Sequence, residues 1–114
     1  MLKTENRLKK RSAFAATYRT GKSFHADGIT MFLGKEKQNE YPVKIGFVVS
    51  KKIHKRAVKR NRIKRLMRES VRLIFKENGF SEKYMSVIFA ASTRLLGKDF
   101  KYIDAGIRKL VAKL

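Results

Sequence analysis

The sequence predicts an α/β (α+β) sandwich, in which helices pack on a small mixed central sheet. Short segments with period-2 alternation of apolar side chains stand on both sides of one long segment with helical periodicity. In chain order the predicted elements are helix, three strands, helix, strand and helix (αβββαβα). Because parallel strands need a crossover connection, the strands flanking the long helix are expected to be parallel neighbours. With 114 residues, of which 43% are hydrophobic, the chain is expected to form one domain, residues 1–114.

The first helix is predicted between two local signals. Residues 1–11 are polar and basic and are expected to form an N-terminal arm. Ser12 is a suitable N-cap for the segment that follows, and Gly21 suits the left-handed position after a helix C-terminus. Phe14 and Tyr18 are four residues apart, so we expect them on one face of this helix.

The predicted strands differ in how clearly the sequence marks them. Residues Ile29–Leu33 and 43–50 alternate between two faces, and residues 84–91 are largely apolar. A further short strand is expected around Phe24, before Gly28. Residues 35–42 are polar, contain the single proline and are expected to form a connecting loop.

The second and third helices are both predicted to be amphipathic. The second is expected to run from about Ala57 to just before Gly79. Its apolar stripe consists of Ile63, Leu66, Met67, Ser70 and Ile74, and its outer face of Asn61, Arg65, Arg68 and Arg72. The third is expected to be capped by Asp99 or to begin there. Its stripe consists of Phe100, Ile103, Ile107, Leu110 and Val111.

The charge distribution favours a polyanionic partner. The formal net charge is +20, and no acidic residue lies between Glu40 and Glu69. Surface helices that serve only solubility mix both signs of charge, so a solvated face is the less favoured interpretation. Nucleic acid is the first candidate partner, and an anionic membrane surface is the second. The candidate RNA-binding residues are Lys51, Lys52, Arg56, Arg60, Asn61, Arg62, Lys64, Arg65 and Arg68.

Three aromatic residues are candidates for a second part of the same surface. Phe14, Tyr18 and Phe32 can line a cleft if the first helix lies across the sheet, and unpaired bases stack on such rings. Ordinary core packing is the competing interpretation, since phenylalanine is usually buried.

Several kinds of function are excluded or disfavoured. The absence of cysteine excludes disulfides and cysteine-based zinc sites, and there is no glycine-rich phosphate loop. His25 and His54 lack ligand-like spacing, and no paired carboxylates suggest catalysis, so no catalytic or metal-ligating residue is predicted in this chain. With no apolar run of about 18 residues, no membrane span is expected, and we expect a cytoplasmic protein.

A motif within the basic helix is similar to that of a known family. The segment Arg60-Asn61-Arg62-Ile63-Lys64-Arg65, preceded by the strand at 45–52, resembles the protein subunit of bacterial ribonuclease P. The resemblance implies an αβββαβα sandwich with a left-handed βαβ crossover. It also implies a subunit of an endonuclease that removes the 5′ leader of precursor tRNA. In that family an RNA subunit, expected here in a 1:1 complex, carries the active site and the Mg²⁺ ions.

The same resemblance implies roles for individual residues. The residues that would face the RNA subunit and the neighbourhood of the cleavage site are Arg60, Asn61, Arg62, Lys64, Arg65 and Arg68. The cleft for the 5′ leader would consist of Phe14, Tyr18, Phe32, Val48, Ser50 and Lys52. The turn at 54–56 departs from many members, which have Gly-Asn there. A structural RNA-binding protein of ribosomal type and a DNA-binding helix module stay as alternatives.

Overall fold

The computed structural model describes residues 3–114, and it contains the predicted order of elements. The helices and strands are α1 (Arg11–Arg19), β1 (Lys22–Ala26), β2 (Ile29–Leu33), β3 (Lys44–Val48), α2 (Ala57–Lys76), β4 (Ser86–Ala91) and α3 (Phe100–Val111). Short 3₁₀ helices lie at Thr4–Asn6 and Thr93–Leu95.

One mixed sheet organises the fold, with strand order β1-β2-β4-β3. The pairs β1–β2 and β2–β4 are antiparallel, whereas β3 and β4 are parallel and α2 connects them. A two-residue turn joins β1 to β2, with Asp27 at φ 50° and Gly28 at φ 82°. Positive φ at both central residues is the type of turn that matches the twist of a hairpin. The parallel pairing of β3 with β4, which α2 connects, confirms the predicted βαβ unit.

The main core lies on one face of the sheet, beneath α2 and α3. Along β2, Ile29, Met31 and Leu33 are buried, while the residues between them are only partly buried, as the alternation predicts. The predicted stripe of α2 is confirmed except that Leu66 is partly exposed and Val71 is fully buried. Ser70 is tolerated in this core because its hydroxyl donates to Asp104 of α3 at 2.7 Å.

Helix α1 packs on the opposite face of the sheet. The residues of that face form a row across three strands, in which Phe32 pairs with Ile88 and Ile88 with Gly46. Thr17 of α1 is buried, and its hydroxyl lies 2.6 Å from that of Ser86 on β4. The sheet is thus covered by two helices on one face and by one short helix on the other.

Some predicted boundaries and caps were wrong. Helix α1 begins at Arg11 with Lys10 as its N-cap, so Ser12 is inside the helix, and no side chain caps it. Gly21 has φ 73°, as predicted for a residue after a helix C-terminus. Asp99 caps α3 as predicted, by accepting from the Tyr102 N–H at 2.9 Å.

The N-terminal segment is not a free arm over the residues that the structure describes. The Asn6 side chain is buried and donates to the Val43 carbonyl at 2.9 Å, and the Leu8 N–H donates to the Ile45 carbonyl at 2.9 Å. Arg7 forms an isolated parallel bridge with Ile45. This segment covers the open edge of β3. Its hydrogen bonds satisfy two backbone carbonyls at that edge, those of Val43 and Ile45. Residues 1 and 2 of the predicted arm lie outside the described part.

Candidate nucleic-acid interface

The first half of α2 presents an uncompensated cationic surface. Asn61 and Arg65 are exposed, and no side-chain carboxylate in residues 3–114 forms an ion pair with the cations of this surface. A furrow of about 410 Å³ runs along the helix there, lined by Val58, Asn61, Arg62, Lys64, Arg65 and Arg68. Because a phosphate that enters this furrow meets no like charge from the protein, the geometry favours anion binding.

Arg68 and Arg62 lie on opposite flanks of α2. The Arg68 guanidinium lies 5.8 Å from the centroid of the Phe47 ring on β3, which fixes it on the sheet side. The Arg62 Nη1 atom donates to the Lys98 carbonyl at 3.0 Å, on the side of α3. Guanidinium groups have five N–H donors, so each of these arginines keeps donors for a ligand while one contact restricts its position.

The basic turn before α2 is also held by an arginine. Arg60 Nη1 donates to the His54 and Lys55 carbonyls, both at 2.8 Å, and the Arg56 N–H donates to His54 Nδ1 at 3.0 Å. This network gives the turn a defined shape. Arg56 itself is exposed at the N-cap of α2.

The unpaired cationic face ends at Arg68, one turn earlier than the sequence predicted. Arg72 makes a bidentate ion pair with Glu69, at 2.6 and 3.0 Å. The Arg72 hydrogen bonds hold the pKa of Glu69 below its usual range, so the carboxylate stays ionised and compensates the arginine. Arg72 is therefore not part of the candidate interface.

Lys51 and Lys52 are exposed in the turn that follows β3. Ser50 shapes this turn, since its hydroxyl accepts from the Lys52 N–H at 3.0 Å and its carbonyl accepts from the Ile53 N–H at 3.0 Å. Both lysines thus lie between β3 and α2, at the carboxyl end of a strand, where ligands of α/β sheets tend to bind.

The predicted aromatic residues lie together on the α1 side of the sheet and are not sealed in the core. The rings of Tyr18 and Phe32 meet edge to face, with centroids 4.9 Å apart and planes at 81°. Tyr18 is 41% exposed, and burial of the rest of the side chain raises the pKa of its hydroxyl. Phe14 is half-buried over Gly46, where an added Cβ atom would lie 2.7 Å from the ring.

The other predicted cleft residues continue this surface toward the basic turn. Val48 is half-buried at the end of β3, and Ser50 and Lys52 are exposed just beyond it. Since Gly46 and Val48 point to the same face of β3, the aromatic surface and the basic turn adjoin along that strand. The structure thus brings these residues into one open, partly apolar surface with cations at one end.

Three contacts of the site could not be found from the sequence. The Arg68–Phe47 contact, the Arg62–Lys98 hydrogen bond and the Thr17–Ser86 pair join residues that are far apart in the chain. The run of cations and the motif resemblance both singled out Arg62 and Arg68, but neither pointed to these partners. Within residues 3–114, no group of three or more His, Cys, Asp or Glu residues is arranged to hold a metal ion.

The fold and this surface define a small basic α/β protein with a cationic face of the kind that suits nucleic acid. No helix in the described part of the chain is long and apolar enough to cross a membrane. A model of the Ribonuclease P family matches residues 2–114. The chain therefore belongs to the Ribonuclease P family, and its role is that of a protein component in tRNA 5′ processing.

Individual relatives and solved structures agree with this assignment. The ribonuclease P protein component of Clostridium botulinum is 34% identical over 109 residues, which cover 96% of this chain and 94% of the relative. That of Clostridium kluyveri is 35% identical over 111 residues, covering 94% and 92%.

The RNase P protein of Staphylococcus aureus superimposes with a TM-score of 0.78 at 23% identity, covering 95% of this chain and 94% of that chain. That of Thermotoga maritima gives 0.79 at 21%, covering 95% and 96%. At this identity the two structures show the fold alone, and they confirm the predicted sandwich.

Proposed function

We propose that this chain binds the RNA subunit of ribonuclease P through the outer face of α2, and that the RNA carries out the cleavage. The observation that carries the proposal is a cationic helix surface on which no arginine or lysine is neutralised by a carboxylate of the described residues. The expected stoichiometry is 1:1, and we assign the Mg²⁺ ions to the RNA subunit. The cytoplasm, where precursor tRNA is processed in bacteria, is the proposed location.

The second part of the proposal concerns the 5′ leader of precursor tRNA. The open surface of Phe14, Tyr18 and Phe32 offers ring faces and edges to unpaired bases, and Lys52 stands at its end for the backbone phosphates. Stacking on aromatic side chains tolerates any base sequence, which suits leaders of differing sequence. The protein would thus hold the leader while α2 holds the catalytic RNA.

Reconstitution tests the proposed function. Purified protein is added to the RNA subunit and precursor tRNA at low Mg²⁺, and release of the 5′ leader is measured. We expect faster cleavage with the protein, and no cleavage by the protein alone, because the catalytic groups belong to the RNA. A rate that is unchanged when the protein is added would contradict the proposal.

A matched variant makes this test specific. The protein with Asn61→Ala, Arg65→Ala and Arg68→Ala lacks three side chains of the outer face but keeps the apolar stripe of α2. It is expected to fold, as judged by circular dichroism, and to give no gain in cleavage. Full activity of the folded triple variant would show that the outer face of α2 is not the RNA-binding surface.

A further inference from the structure

The segment that leads into α3 lies directly beside the basic helix. The hydrogen bond from Arg62 Nη1 to the Lys98 carbonyl, at 3.0 Å, joins the two. Eight residues further along α2, about 12 Å along its axis, the Ser70–Asp104 hydrogen bond joins α2 to α3 again. The segment at 97–101 is therefore held at the edge of the furrow on α2, on the flank opposite to the aromatic surface.

This segment presents two exposed lysines that have no ion-pair partner among the described residues. Lys98 and Lys101 are exposed, and neither forms a salt bridge in residues 3–114. The one acid between them, Asp99, accepts a hydrogen bond from the Tyr102 N–H at 2.9 Å and is thus engaged as a helix cap. The Lys98 ammonium lies 4.8 Å from the centroid of the Tyr102 ring.

The rest of α3 is compensated, which sets its N-terminal end apart. Arg108 pairs with both Glu77 and Asp104 at 2.8 and 2.9 Å, and Lys109 pairs with Asp27 at 2.8 Å. Cations that serve only solubility would be expected to show the same mixture of signs along the whole helix. The unpaired lysines, Lys101 in the first turn of α3 and Lys98 just before this helix, instead lie on the side of the unpaired face of α2.

We infer that Lys98 and Lys101 form a second phosphate-binding site for the same RNA, with Arg62 positioning the segment that carries them. This inference rests on the proposed function of α2. The RNA footprint would then extend over both flanks of the basic helix, toward β3 on one side and toward α3 on the other. The ligand chemistry is the phosphate backbone, so the contact adds affinity without reading base sequence.

The salt dependence of RNA binding tests the site. Lys98→Gln and Lys101→Gln remove one charge each and keep most of the side chain. Each is expected to lower the slope of log affinity against log salt by about one unit. Lys113→Gln is the matched control, since Lys113 belongs to the same C-terminal helical region, is exposed, and lies 5.3 Å from an aromatic centroid, that of Phe24. Its slope is expected to equal that of the unaltered protein.

A parallel measurement on Arg65→Gln separates failure of this inference from failure of the proposed function. If Arg65→Gln lowers the slope but Lys98→Gln and Lys101→Gln do not, the second site is overturned and the role of α2 stands. If none of the three variants changes the slope, the proposed function fails as well. Equal effects of Lys113→Gln and Lys98→Gln would show a general charge effect and would also overturn the site.

A proximity measurement does not depend on affinity. Because the chain contains no cysteine, Lys101→Cys introduces a unique thiol for an iron chelate that cleaves nearby RNA with hydroxyl radicals. We expect cleavage of the bound RNA subunit from position 101 and none from Lys113→Cys, whose folding and binding are checked first. Absence of cleavage from position 101 in a formed complex would overturn the inference.

Discussion

At the scale of the residue, the same side-chain type serves different purposes along α2. Arg65 is exposed and unpaired among the described residues, Arg72 is compensated by Glu69, and Arg60 donates to backbone carbonyls of the preceding turn. The difference follows from the position of each residue around the helix and from which acceptors lie within reach. Of these three arginines, only Arg65 has its whole guanidinium group available to a ligand.

This difference predicts contrasting results for two changes. Arg65→Ala is expected to lower the log–log salt slope of RNA-subunit affinity by about one unit, since one phosphate contact is lost. The double variant Glu69→Gln, Arg72→Gln leaves the net charge unchanged and is expected to keep the slope, because that pair is internally satisfied. A slope that falls in the double variant and not in Arg65→Ala would reverse the assignment.

Phe14 tests the aromatic surface at the same scale. Phe14→Ala is expected to weaken binding of precursor tRNA to the reconstituted complex by about 1–3 kcal/mol, the range for loss of a stacked base. Binding of mature tRNA, which has no leader, is expected to be unchanged. Equal losses for the two RNAs would instead indicate damage to the fold, which a thermal melt of the variant would detect.

At the scale of the element, the position of α1 on the sheet decides the shape of the aromatic surface. Thr17 bonds to Ser86 on β4, and Phe14 lies against the bare backbone of Gly46 on β3. The helix can approach this closely because no side chain projects from position 46. The surface therefore depends on a glycine that does not itself contact a ligand in the proposed complex.

Gly46→Ala tests this dependence. The added Cβ would lie 2.7 Å from the Phe14 ring, so the ring must move outward, and we expect weaker leader binding in the folded variant. The measurement is the affinity ratio of precursor to mature tRNA, which should fall toward that of Phe14→Ala. An unchanged ratio, with the variant folded, would show that the Phe14 position is not critical.

The C-terminal ends of α2 and α3 are joined by an ionic cluster. Arg108 lies between Glu77 and Asp104, and its hydrogen bonds hold the pKa of Glu77 below the ordinary value of 4.5. A carboxyl whose folded-state pKa is lowered contributes stability above its unfolded pKa, and this stability is lost as pH falls through the folded value. The cluster is solvent-exposed, so the contribution is modest.

A pH titration of stability tests this cluster. The free energy of unfolding is expected to fall as pH drops below about 4.5, the ordinary value for Glu77. In Glu77→Gln the loss over the same range should be smaller, because one titrating group is removed. Glu40→Gln, at an exposed residue for which the described structure shows no ion pair, is the control and should follow the unaltered protein.

At the scale of the whole molecule, charge is distributed unevenly. The ion pairs of the described residues involve the ends of α2 and α3, the hairpin turn and the loops near β4, whereas the first half of α2 has none. With a net charge of +20, the folded chain repels itself, and a polyanion relieves this repulsion. The charge that attracts a polyanion thus also lowers the stability of the free folded chain.

This self-repulsion predicts the effect of simple salt on the free protein. Raising NaCl from about 0.01 to 0.15 M shortens the screening length from about 30 to 8 Å, so the thermal midpoint is expected to rise. Over the same range, affinity for the RNA subunit is expected to fall, because each counterion released on binding gains less entropy in more concentrated salt. A midpoint that falls with salt would show that the surface ion pairs outweigh the self-repulsion.

The sequence by itself determined the order of elements and the identity of the cationic helix. Both depend on local periodicity and on the absence of acids between Glu40 and Glu69, which neighbouring residues in the chain already specify. It also located the Asp99 cap, but not the start of α1, because α1 lacks a capping side chain and is fixed by packing.

The tertiary structure decided which of the predicted cations and aromatic residues are available to a ligand, and which other residues they contact. It showed that Arg72 is paired, that Phe14 lies over Gly46 and that Lys98 lies beside Arg62. The last two contacts cross between elements far apart in the chain, and the first depends on the rotamers that two side chains adopt together. Periodicity assigns a residue to a face, but only the folded arrangement determines what that face meets.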